Sequence, residues 1–163
     1  MKKNIIIVFI MVLLLIVDNS ILPFLSIRGY YPSLLLVFTI FIALLSEKNE
    51  AVLFGVSSGI LQDIYFNGIM GINGISNLLI CLLSYYVGRS IFKEKYVMPT
   101  LTCLILSLIK GCIVFLIGMA VGMKVQYKNI FVVALYNYVI ALATYKLIYK
   151  LYIVKSEKNY WKY

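Results

Sequence analysis

The chain contains no histidine. That removes the residue most often used as a zinc ligand and as a general acid or base near neutral pH. Its three cysteines, Cys81, Cys103 and Cys112, all fall inside apolar runs and show no CxxC spacing. This argues against a zinc site or a disulfide framework and for small buried hydrophobes. Acidic residues number only 6. Asp18, Asp63, Glu47, Glu50, Glu94 and Glu157 form no cluster along the chain and no DxxD pair. Two-metal or acid–base chemistry therefore lacks its carboxylates, and no enzyme, cofactor or metal is called for. Charged residues make up 13% of the chain and hydrophobic ones 63%. Soluble domains stand near a quarter and about half. Disorder and a nucleic-acid module are excluded on the same grounds.

What is present is apolar sequence. Mean hydropathy is +1.00 over 163 residues. A helix needs about 20 apolar residues to cross a bilayer core of about 30 Å. The length thus allows about six crossings and no soluble catalytic domain. Six apolar stretches can be marked, at residues 4–25, 31–45, 51–66, 72–91, 99–121 and 130–152. We expect a single all-α integral membrane domain of six transmembrane helices. The second and third stretches are short, which suits helices tilted against their neighbours. Lys2 and Lys3 precede the run Ile5 to Val17, as in a signal peptide. The residues that follow, Asp18-Asn19-Ser20-Ile21-Leu22-Pro23, hold no small-x-small cleavage site, so the first stretch reads as an uncleaved span.

Lys and Arg total 15, which gives a net charge of +9. In a soluble protein this would suggest a nucleic-acid partner, but no basic run is long enough for one. With the N-terminus inside, about 11 basic residues fall on the inner side: Lys2, Lys3, Lys48, Arg89, Lys93, Lys95, Lys146, Lys150, Lys155, Lys158 and Lys162. Arg28, Lys124 and Lys128 fall outside. This bias predicts a multi-pass protein with both termini in the cytoplasm. The tail, residues 153–163, is basic and aromatic. Its lysines suit anionic lipid at the cytoplasmic face, and Tyr160, Trp161 and Tyr163 suit the interface.

Charges within the spans are the informative exceptions. Asp63 and Lys110 fall at nearly the same depth, about 18 Å and about 16 to 17 Å from the inner surface at 1.5 Å per residue. A lone charge there is costly, so the two are expected to face each other. Gly55 and Gly59 form GxxxG beside Ser58, a flat face for close helix packing, with Gln62 and Asp63 above it. Gly118 and Gly122 repeat the motif. Asn67-Gly68-Ile69-Met70-Gly71-Ile72-Asn73-Gly74, with three glycines and two asparagines, reads as a short outer turn with positive φ angles. Asn137, within the last stretch, needs a partner on another helix. Asp18, followed by Asn19 and Ser20, reads as a polar cap at the outer interface.

Pro32-Ser33-Leu34-Leu35-Leu36, Gly55…Gly59-Ile60-Leu61-Gln62-Asp63, Gly71-Ile72-Asn73 and Asn137 together resemble MreD, the bacterial rod shape-determining membrane protein family. Length, span count and topology agree, and the resemblance covers essentially the whole chain. The family commonly has aspartate after the proline of the second span; here that residue is Ser33. The resemblance implies a non-enzymatic component of the cell-elongation machinery in the plasma membrane. Similar proteins bind the bitopic protein MreC. They link the MreB filament to the peptidoglycan polymerase RodA and its class B penicillin-binding partner. It also implies the six-helix arrangement of the substrate-binding subunits of energy-coupling-factor transporters. A vitamin-binding subunit of that kind is the alternative function. The first span counts against it, because Ile5 to Val17 holds no Gly, Ala or Ser on which a coupling subunit could slide. Gly55, Gly59, Gln62, Asp63, Gly71, Asn73, Lys110 and Asn137 are the candidate packing or partner-contact residues.

Overall fold

The computed structural model describes residues 2–26, 30–65, 71–91, 97–122 and 128–160. Six α-helices form among them: α1 Lys2–Ser20, α2 Leu34–Leu45, α3 Lys48–Tyr65, α4 Ile72–Ser90, α5 Val97–Ala120 and α6 Lys128–Tyr160. The expected turn residues Asn67 to Met70 lie outside the described residues, as do Arg28, Lys93, Lys95, Lys124, Trp161, Lys162 and Tyr163.

Apolar runs of this kind form helices because a bilayer leaves backbone N–H and C=O groups no partner except each other. The breaks follow local chemistry. After α1, Pro23 enters a one-turn 3₁₀ segment, Leu22–Leu25. Pro32 disfavours helix at the residue before it. Ser33 then caps α2, its hydroxyl accepting from the Leu36 amide at 3.2 Å. α2 therefore starts at Leu34 and not at Tyr31, where the apolar stretch begins. α6 runs on to Tyr160, past the boundary drawn at 152.

Among the described residues three helical segments are long and apolar enough to cross a membrane: Asn4–Phe24, Val97–Ala120 and Ile130–Leu151. α2 has only 12 residues, about 18 Å of helix. Its residues from Leu35 to Leu44 are all buried, and it packs against each of the other five helices. The core gathers on it, with Met11, Leu35, Ile40, Phe41 and Phe54 wholly buried. The Phe41 and Tyr145 rings meet edge to face at 5.0 Å between centroids. By contrast Ile5, Phe9, Leu13 and Ile16 of α1 are exposed, and their spacing puts them on one stripe. Asp18, Gln62, Asp63, Asn77, Lys110 and Asn137 are buried. Polar groups inside and large apolar ones outside is the arrangement a lipid environment selects.

Candidate functional site: a polar network inside the bundle

The site is built on the crossing of α3 and α4. Gly59 of α3 lies directly on the start of α4. A Cβ at this position would stand 2.6 Å from the Asn73 carbonyl oxygen and 2.8 Å from its carbon. Gly55, one turn earlier, would bring a Cβ to 3.0 Å from Cys81 Cβ and from Leu78 Cα. The first GxxxG thus packs within the chain. The second does not form such a face. α5 ends at Ala120, and Gly122 stands beyond it in the left-handed region with φ of 79°. It terminates the helix.

Both buried carboxylates cap helices. Asp63, in the last turn of α3, accepts from the backbone amides of Gly71 at 2.9 Å, Asn73 at 3.0 Å and Gly74 at 2.9 Å. These are the unpaired amides at the start of α4, and the helix dipole favours a negative charge there. Gly71 makes this possible by adopting φ of 105°, which a side chain would oppose. Asp18, near the end of α1, does the same for α2. Its Oδ1 accepts from Leu34 N at 2.9 Å, and its Oδ2 from Leu35 N at 3.0 Å and Ser33 Oγ at 2.9 Å.

Gln62 is the hub. Its Oε1 accepts from Lys110 Nζ at 2.8 Å and from Asn77 Nδ2 at 3.1 Å. Its Nε2 donates to Ser33 Oγ at 3.4 Å. Lys110 thus reaches the neighbour of Asp63 in sequence. The direct pairing expected of Asp63 and Lys110 gives way to a hydrogen bond with an amide, because the Asp63 oxygens are engaged by the amides of α4. Asn77 also donates to Ser58 Oγ at 3.2 Å, and its Oδ1 is buried without a partner among the described residues. Asn137 accepts from the Ser33 amide at 2.9 Å and donates to Ser107 Oγ at 3.3 Å. Through Ser33 and Gln62 these bonds join into one network. Asp18, Ser33, Gln62, Asn77, Lys110 and Asn137 give it a member on α1, the α2 cap, α3, α4, α5 and α6.

Among the described residues no group of three or more His, Cys, Asp or Glu is placed to hold a metal ion. The family model for the rod shape-determining protein MreD matches residues 1–155. The chain belongs to the MreD family. No curated protein and no solved structure matches it.

Membership makes this a rod shape-determining membrane protein, and every residue of the network falls within the matched span. Of the eight residues singled out from the sequence, Gly59, Asp63, Gly71 and Asn73 meet at the α3–α4 junction. Gln62 joins Lys110 there, and Asn137 reaches the same hub through Ser33. Gly55 stands apart at the next turn of the crossing. Sequence reasoning missed Asn77 and Ser107, and it noted Ser33 and Ser58 without giving them a part in the network. A signal existed for two of them. Asn73 and Asn77 are four apart, as are Ser58 and Gln62, so each pair shares one helix face. In this MreD-family chain the Asp18 carboxylate meets the Ser33 hydroxyl from α1.

Proposed function

We propose that the chain is a six-span plasma-membrane scaffold of the cell-elongation machinery, a single domain with both termini in the cytoplasm and a basic-aromatic tail. It is not an enzyme. It binds an MreC-like bitopic protein and so connects the MreB filament, directly or through others, with RodA and the class B penicillin-binding protein. The observation that carries this reading is the MreD-family match over residues 1–155. Two features support it. The carboxylates at hand, Asp18 and Asp63, are committed to capping helices, which leaves them engaged in structure. The outward surface is apolar along α1, α5 and α6, with Phe9, Leu116, Phe131 and Val139 exposed, and such a surface receives a partner's membrane helix by van der Waals packing.

Affinity purification of the tagged full chain from native membranes tests the proposal. The expected outcome is recovery of the bitopic partner together with elongation proteins. Recovery of a transporter ATPase pair in their place overturns it. Residues on the outer stripe of α1 provide a second check. Photo-crosslinkers at Phe9 and Leu13 are expected to capture a membrane helix of another protein, whereas one at the buried Met11 is not.

A further inference from the structure

A cavity of about 350 Å³ opens beside Lys110. It lies within the range of about 300–1,000 Å³ typical of small-ligand sites. Its polar end is lined by Lys110, Gln62, Ser107, Asn137 and Asp18. Its walls are apolar, with Leu15, Leu36, Val114, Ile130 and Val133 among them. Neither the polar network nor the scaffold role accounts for it.

The charges around the cavity are unequally satisfied. Asp18 borders it, but its oxygens already accept from Ser33, Leu34 and Leu35 at the start of α2. Asp63 is likewise held by three amides of α4. Lys110 is 9% exposed, and an ammonium carries three N–H donors. It makes one hydrogen bond among the described residues, to the neutral amide oxygen of Gln62, which Asn77 also uses. Asp63 and Asp18 attract it only through space, and a buried cation with so few hydrogen bonds is costly unless a further acceptor in the cavity joins it.

We infer that this cavity binds a small amphipathic anion, a carboxylate or phosphate monoester on an apolar body, with the anionic head on Lys110 and the body along α1, α5 and α6. The head can belong to a free organic acid or to a lipid. The inference goes beyond the scaffold reading and does not depend on it.

The test uses the full chain purified in a neutral detergent, with octanoate, octyl phosphate and octanol as probes. Octanoate and octyl phosphate are expected to raise the unfolding temperature saturably, and octanol is not. Lys110→Met is expected to weaken octanoate binding about tenfold or more, as fits loss of a charge-assisted hydrogen bond. Val133→Trp fills the cavity and leaves Lys110 in place, so it should abolish binding even if the lysine variant fails to fold. Equal protection by octanol overturns the inference, as does octanoate binding unchanged in Val133→Trp. Nanodiscs then identify the source. A wild-type response to octanoate in phosphatidylcholine that vanishes in phosphatidylglycerol points to a lipid head. A response in both points to a free acid. No anion response in either overturns the proposal.

Discussion

Asp63 and Lys110 show how an apolar bundle accommodates ionised groups with different partners. The aspartate takes the first amides of α4, where backbone dipoles converge on it. Replacing it by alanine should lower stability by about 2 kcal/mol, the upper end of measured N-cap losses. Chemical or thermal unfolding in detergent reads this, and Asp63→Asn should recover part of it. Lys110 depends on Gln62. Gln62→Leu strands the ammonium and should cost about 3 kcal/mol or more. The double variant Gln62→Leu with Lys110→Met should recover most of that loss, because the stranded charge has gone. Equal instability of the single and double variants would contradict this account. From the sequence, Asp63, Gln62, Lys110 and Asn137 stand out because each interrupts an apolar run. Their depths can be read from helical rise, but the direction in which each side chain points depends on how the helices cross. For that reason depth alone pairs Asp63 with Lys110, although Gln62 is the residue that reaches the lysine. Asp18 reads from the sequence as a polar group at the outer interface, whereas the structure buries it and sets it on the first amides of α2.

Among the elements, the α3–α4 pair is set by one point of contact. Gly59→Ala puts a methyl group against backbone carbonyl atoms that cannot swing away. Gly55→Ala meets contacts of 3.0 to 3.1 Å, one of them with a side chain. Overpacking of this kind costs about 1–3 kcal/mol. Gly59→Ala should therefore lower the unfolding midpoint well beyond Gly55→Ala, and the reverse order would contradict the crossing described. Gly71→Ala fills open space but must hold φ of 105°, so a penalty of about 1–2 kcal/mol is expected from the backbone alone. The helices themselves were legible, since each rests on an apolar stretch. The start of α2 was less so. Tyr31 and Pro32 count as apolar, yet proline geometry and the Ser33 cap postpone the helix to Leu34. Gly118 and Gly122 share the spacing of Gly55 and Gly59, but a motif cannot tell a packing face from a helix terminus. In the structure φ of 79° at Gly122 settles which it is.

Over the whole molecule, the distribution of polarity runs opposite to that of a soluble protein. The polar network links all six helices, while phenylalanine and leucine side chains face outward. The charge asymmetry in the sequence predicts the orientation, with about 11 basic residues assigned inside and three outside. Reporter fusions test it directly. Fusions to either end should be active only with a cytoplasmic reporter, and an exported reporter active at the C-terminus would require an odd number of crossings.

The burial of α2 also sets how the sequence can vary. The outer stripe of α1, at Ile5, Phe9, Leu13 and Ile16, is not enclosed by the chain's own helices. Replacement there by almost any apolar residue should leave the fold intact. From Leu35 to Leu44 no side chain has that freedom, since each is enclosed by other helices. Changes in α2 should survive mainly when shape is kept or when a facing residue changes with it. Over evolutionary time, the shortest helix should be the slowest to diverge, and its substitutions should come in matched pairs.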